Sequence, residues 1–228
     1  MDRGKIVTAT KRAVAASPAR GLLGTHLSRQ TRILFSRLDA FRESRWYAAA
    51  DDRCPHPERW HSLDIMATEF EVSELVAGFV RALQPDYVIE TGTASAQTTY
   101  LIGRALRKNG HGRLVSLEID PACVRAGQHM CRRLPVEVRR QSSMEFTPEE
   151  PVDFAWFDSF ELRVLEFRRY LPYMHARTIV GFHDTAIPSE SALREGLASL
   201  IDEGLLRMIE LPTPRGVAFA QVAAAYPV

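Results

Sequence analysis

Two carboxylates and an imidazole stand where chemistry is easiest to perform. Asp153-Phe154-Ala155-Trp156-Phe157-Asp158 is an apolar run that ends on an acid. Val180-Gly181-Phe182-His183-Asp184-Thr185 ends on a second acid, preceded by a histidine. Both runs have the length and the aromatic or β-branched content of buried strands. As neighbouring strands of one parallel sheet they bring Asp158 and Asp184 together at their tips. Two close carboxylates repel unless a proton or a cation lies between them. Oxygen ligands favour Mg²⁺ or another hard cation, which makes Asp158 and Asp184 candidate ligands of a divalent ion. Each acid also has a simpler reading, Asp158 as a helix cap and Asp184 as a cap of the segment at Pro188. His183 is the local candidate for a general base, because a free imidazole titrates near neutrality. A histidine that only donates to a backbone carbonyl is the alternative. His56 and His61 become candidates if the N-terminal segment folds over the site.

A second group of residues suits a ligand rather than a reaction. Tyr87-Val88-Ile89-Glu90 is a short apolar strand ending on a carboxylate, and Thr91-Gly92-Thr93-Ala94-Ser95-Ala96 follows it. Gln97 to Arg107 then reads as a helix. Small residues between strand and helix let the backbone approach a ligand at the carboxyl end of a sheet. A dinucleotide fingerprint needs a second glycine where the pyrophosphate meets the backbone, and Ala94 stands there instead. The loop therefore suits a nucleoside without a pyrophosphate. Leu114-Val115-Ser116-Leu117-Glu118 ends the next strand on another acid, 28 residues after Glu90. Glu118 is placed to accept both hydroxyl protons of a ribose. Asp120, just before Pro121, serves as the N-cap of the following helix, which leaves Glu118 for a ligand.

The elements that must hold these groups alternate along the chain. Strands are expected at Tyr87–Glu90, Arg113–Glu118, Val136–Arg140, Asp153–Phe157, Thr178–Phe182, Leu205–Glu210 and Gly216–Val222. Helices are expected at Glu69–Leu83, Gln97–Arg107, Pro121–Arg133, Glu161–Leu171 and Ser189–Asp202. This alternation predicts an α/β fold with a doubly wound, mostly parallel seven-stranded sheet. The last two strands have only a short turn between them, so one strand near the C-terminus runs antiparallel. Residues 1–65 read as a helical N-terminal extension, with apolar residues at helical spacing from Leu22 to Tyr47, acting as a lid or a dimerisation element. Residues 66–228 form the ligand-binding domain. Trp46, Tyr47, Trp60 and Met66 either line an apolar pocket or pack the extension onto the core.

Composition narrows the partners. The 228 residues carry 29 Lys+Arg and 28 Asp+Glu, so no global field draws nucleic acid or anionic lipid. Residues 1–53 hold 11 basic against 5 acidic side chains, a local excess that reads as a solvated helical arm. Three cysteines without a Cys-x-x-Cys pair argue against a disulfide framework or a zinc site. A reducing, cytoplasmic setting fits, and no apolar run is long enough to span a bilayer.

The motif series resembles the class I S-adenosylmethionine (SAM)-dependent methyltransferases, closest to the catechol O-methyltransferase-like and small bacterial O-methyltransferase families. The resemblance runs from about Met66 to Val222. Gln84-Pro85-Asp86-Tyr87-Val88-Ile89-Glu90-Thr91-Gly92 looks like the first motif of that family, and Glu118 like its ribose-binding acid. The resemblance implies that Thr98 holds the methionine carboxylate at a helix N-terminus. It places Ser142-Ser143 beside the adenine. It also puts Met66, Glu90, Gly92, Thr93, Ala96, Ile119, Ser143 and Asp158 at the cofactor. In metal-dependent members, acids at the positions of Asp158 and Asp184 hold a divalent ion that binds the acceptor oxygen. Thr185 stands where an Asn often completes that site. The Lys or His that relatives carry just after the first acid is absent, since Ser159-Phe160-Glu161 follows Asp158.

The resulting expectation is a SAM-dependent O-methyltransferase, acting on a hydroxylated small molecule as a possible homodimer. Asp158, His183 and Asp184 are its expected catalytic residues. A non-catalytic SAM- or nucleoside-binding subunit and a nicotinamide-dependent oxidoreductase are the alternatives.

Overall fold

The computed structural model describes residues 51–62, 67–160 and 162–223. The expected helices between Leu22 and Tyr47, the side chains of Trp46 and Tyr47, and Met66 lie outside the described residues. Helix α1 (Phe70–Leu83) leads into β1 (Tyr87–Thr91), α2 (Gln97–Asn109), β2 (Arg113–Glu118), α3 (Pro121–Cys131) and β3 (Val136–Arg140). There follow β4 (Val152–Phe157), α4 (Arg163–Tyr170), β5 (Met174–His183), α5 (Ser191–Asp202), β6 (Leu206–Leu211) and β7 (Val217–Val222). The seven strands form one sheet in the order β3-β2-β1-β4-β5-β7-β6. All run parallel except β7, which is antiparallel to both neighbours. The order reverses between β1 and β4, and that reversal opens a crevice at the carboxyl ends of the strands.

Period-two alternation along the strands divides the core between two faces. Tyr87, Ile89, Val115, Leu117 and Phe157 pack on one side with Phe167 and Tyr170 of α4 and with Leu193, Leu197 and Leu200 of α5. Val88, Leu114, Phe154 and Trp156 pack on the other with Val72, Val76 and Val80 of α1 and with Ile102 and Leu106 of α2. The four-residue spacing of the α1 valines is the apolar stripe that docks that helix. Trp60 is half-buried against this second cluster, so it packs the extension onto the core. Gly181 pairs with Trp156, and a Cβ there would lie 2.5 Å from the indole ring. The missing side chain lets the indole pack directly over β5.

Strand β5 begins at Met174, four residues earlier than its apolar pattern indicates. Its pairing with β4 shifts register between Val152 and Phe154. The hydroxyl of Thr178 bridges the gap, donating to the Val152 carbonyl at 2.6 Å and accepting from the His175 amide at 2.9 Å. A bulge of this kind leaves exposed residues inside a strand and hides its start from a periodicity argument. Among the described residues, no helix is long and apolar enough to cross a membrane.

Candidate active site

The β1–α2 loop is held in a strained shape. Gly92, Ala94 and Ala96 have φ of +87°, +43° and +61°. Two of these are alanines, for which the left-handed region costs on the order of 1 kcal/mol or more each. Glu118 holds the loop there. One of its carboxylate oxygens accepts from the Ala94 amide at 2.9 Å, and the other accepts from the amides of Ile119 and Asp120, also at 2.9 Å. Asp120 caps α3 through the amides of Ala122 and Cys123, the role its place before Pro121 indicated. Beside the buried Glu118, Ile119 is an exposed apolar side chain, 62% accessible. A Cβ on Gly92 would fall 2.5 Å from the Asp158 carbonyl oxygen. Only glycine lets the loop lie across the tip of β4.

Other residues assigned to the cofactor turn inward. Glu90 is buried, and its carboxylate accepts from Thr99 at 2.5 Å and Ser116 at 2.6 Å. Burial, only partly offset by these two hydroxyls, pushes its pKa up to about 8. Thr93 shares a 2.6 Å hydrogen bond with Ser116. Thr98 lies 3.0 Å from the Ser73 hydroxyl, so helix α1 engages it. The Ser143 hydroxyl donates to Glu166, which also accepts from Thr91 at 2.8 Å and Ser159 at 2.7 Å. Burial raises the pKa of Glu166 against those three hydroxyls. These groups brace the cradle from beneath, and their polar atoms face one another.

Asp158, His183 and Asp184 meet as the two strand ends predict, with one ligand atom from each inside a 4.8 Å cluster. The spacing is compatible with a divalent ion. The cluster nevertheless has partners that no local pattern announced. His183 is fully buried, with Nε2 at 2.6 Å from Glu69 and Nδ1 at 3.0 Å from Asp158. Glu69 precedes α1 without capping it. Its carboxylate reaches His183 and also accepts the Arg215 amide at 3.0 Å. Thr68 donates to the second oxygen of Asp158 at 2.6 Å. Asp184, in the left-handed region at φ +66°, is flanked by Arg163 at 3.1 Å and Arg215 at 2.5 Å. His61 pairs with Glu71 at 2.6 Å, and exposed His56 lies 3.4 Å from Glu58.

Both ring nitrogens of His183 face carboxylates, which bears on its reading as a base. Burial works against a charged imidazole, but the carboxylates of Asp158, Asp184 and Glu69 outweigh it and lift the pKa to about 9. A carboxylate at each ring nitrogen favours the protonated form, in which both nitrogens donate. Burial opposes ionisation of Asp158, and the charge and hydrogen bond of His183 overcome it, so the Asp158 pKa falls. The folded-state pKa of His183 lies above the free value of about 6.5, so its stabilisation is complete below that pH. It is lost as pH rises through about 9. Urea denaturation of His183→Gln between pH 6 and 10 is expected to show a shallower alkaline loss of stability than the parent. Parallel curves would remove the imidazolium from this account.

Sequence reasoning missed Thr68, Glu69, Gln97, Arg163, Glu166 and Arg215. Gln97 alone gave a signal, as the first residue of the helix after the loop. Its amide nitrogen donates to the Thr68 carbonyl and the Ser73 hydroxyl, and its buried amide oxygen has no hydrogen-bond partner among the described residues.

No family model and no curated protein sequence matches the chain. Solved structures do. The O-methyltransferase TomG from Streptomyces achromogenes, in complex with SAM, superposes with a TM-score of 0.60 at 16% identity, covering 70% of this chain and 82% of TomG. An O-methyltransferase from Bacillus cereus in complex with SAH gives 0.59 at 18% identity, over 67% and 80%. SAH-bound methyltransferase PaMTH1 of Podospora anserina gives 0.64 at 12% identity, over 98% and 97%. The chain shares the Rossmann-like fold of these methyltransferases.

Proposed function

We propose that the chain is a SAM-dependent methyltransferase that methylates a hydroxyl oxygen of a small molecule. Glu118 carries the reading, as a buried strand-tip carboxylate that ties down the small-residue loop at the point where the strand order reverses. Its carboxylate, at the tip of β2, is the group placed to meet a ribose hydroxyl. The ammonium group of a bound methionine moiety would satisfy the unpartnered oxygen of Gln97. The N-terminus of α2 offers its free amides to the carboxylate of that moiety. The fold shared with SAM- and SAH-bound methyltransferases supports the same assignment.

When bound, SAM supplies an electrophilic methyl group on a sulfonium. Asp158 is the most open of the three clustered side chains, at 15% exposure, and is placed to orient the acceptor hydroxyl. Its pKa is lowered, so it is a weak base. A weak base suffices, because a hydroxyl oxygen becomes strongly acidic as its bond to the methyl carbon forms. The oxygen gains that bond, the carbon–sulfur bond breaks, and the hydroxyl proton passes to the carboxylate or to water. Positioning for this in-line displacement dominates the acceleration.

Thermal shift gives the direct test. SAM at about one hundred times its Kd stabilises by about 2.7 kcal/mol, which is a rise of roughly 5 to 10 °C for a chain of this size. NAD is expected to produce none, as the missing second glycine argues. A shift with NAD alone would overturn the reading. SAH formation with a panel of hydroxylated acceptors separates an enzyme from a non-catalytic SAM-binding subunit. That second reading is favoured by the engaged nitrogens of His183 and by the missing Lys or His after Asp158.

We further propose that residues 1–65 cover the site or pair two copies. The Asp51 amide bonds the Pro214 carbonyl at 3.2 Å, which brings the end of that segment to the turn carrying Arg215. Cys54, Cys123 and Cys131 form no disulfide among the described residues, in keeping with a reducing, cytoplasmic setting.

A further inference from the structure

We propose that Arg215, backed by Arg163, is the resident cation of the acidic cluster, so that this site works without a divalent metal and excludes one. The inference rests on the methyltransferase reading only where it speaks of turnover. Asp184 is the ligand that a bridging ion would need most, and both its oxygens are taken. Arg215 donates to one oxygen through Nη2 at 2.7 Å, and its Nε lies 2.5 Å from the other as an ion-pair contact. Arg163 adds a contact at 3.1 Å and is itself held by Glu190 at 3.3 Å. The His183 ring covers the nearer oxygen of Asp158 at 3.0 Å and lies 3.4 Å from Asp184. A divalent ion at this cluster would face two buried guanidiniums already lying against Asp184.

The position of Arg215 is built in. Its amide bonds Glu69, its Nη1 donates to the Ala67 carbonyl at 3.0 Å, and its side chain is 4% exposed. Gly216 follows at φ +79°, where a Cβ would lie 2.5 Å from the Ala186 amide. The amides of Thr185 and Ala186 bond the Gly216 and Arg215 carbonyls at 3.2 and 2.9 Å. The β6–β7 turn and the β5 tip are thus zipped together with the guanidinium over Asp184.

Mn²⁺ is the probe, read by calorimetry and electron paramagnetic resonance on the full chain. Wild type is expected to take up none at the cluster up to millimolar concentration. Arg215→Gln keeps an amide to reach Ala67 but removes the charge. It is expected to bind one Mn²⁺ at least about tenfold more tightly than wild type, and adding Asp158→Asn should abolish that gain. Arg215→Lys restores the charge and should exclude Mn²⁺ again. Wild-type binding that Asp158→Asn removes would overturn the proposal, as would a folded Arg215→Gln with no gain. If Arg215→Gln does not fold, the wild-type titration and its Asp158→Asn control still decide. SAM affinity measured on the same wild-type sample reports on the methyltransferase reading separately, since it depends on Glu118 and the β1–α2 loop.

Discussion

Replacing Glu118 by alanine is expected to lower SAM affinity by about 2 to 3 kcal/mol, roughly 30- to 150-fold. Two effects add. The carboxylate accepts three backbone amides that fix residues 94 and 118–120, and it is the group placed to meet a ribose hydroxyl. Hydrogen bonds to a charged acceptor contribute about 1.5 to 3 kcal/mol each, and removing the acceptor leaves buried donors unpaired. Glu118→Gln separates the effects, because its amide group keeps the volume and one acceptor oxygen. It should lose part of the affinity and less of the thermal stability. Calorimetric titration is the measurement, and equal Kd values for parent and Glu118→Ala would withdraw Glu118 from the cofactor site.

Asp184→Asn is expected to have the largest effect on stability. The substitution is nearly isosteric and removes a negative charge between two buried guanidiniums, each 3–4% exposed. Arg163 retains Glu190, and Arg215 retains the Ala67 carbonyl. Removing one member of a buried pair costs about 3 to 5 kcal/mol, because the remaining charge stays desolvated. For a chain of this length that is a loss of roughly 10 °C in Tm. The surface pair of Arg53 and Glu210 supplies the contrast, since its removal should change stability by under about 1 kcal/mol. An Asp184→Asn protein as stable as the parent would show that the guanidiniums find water instead.

What was legible in the sequence was what sequence-local physics determines. The bounds of β2 follow from an apolar run closed by Glu118, and Asp120 before Pro121 announces its own cap. The pairing of Asp158 with Asp184 follows from two runs that end alike in neighbouring strands. The start of β5 was hidden by a bulge whose ladder is repaired by one hydroxyl of Thr178. The neutralisation of the acids was hidden for a different reason. Glu69 lies 114 residues from His183, and Arg215 lies 31 from Asp184 across a helix and a strand. No periodicity links them, because they meet only after the sheet has closed. His183 shows the effect of that omission on chemistry. A free imidazole is a base near neutrality, and three carboxylates raise its pKa despite its burial.

The reversed direction of β7 has a consequence for how this architecture is able to vary. In the parallel part of the sheet, only segments leaving a strand reach the crevice. Because β7 runs the other way, the segment entering it, residues 212–216, arrives at the same edge and delivers Arg215 there. That turn belongs to a terminal hairpin joined to the rest of the sheet by one ladder, between β5 and β7. The half of the crevice built by β1 and β2 takes no part in it. A five-residue turn in a terminal hairpin therefore contributes one of the charges at the acidic cluster from outside the parallel part of the sheet.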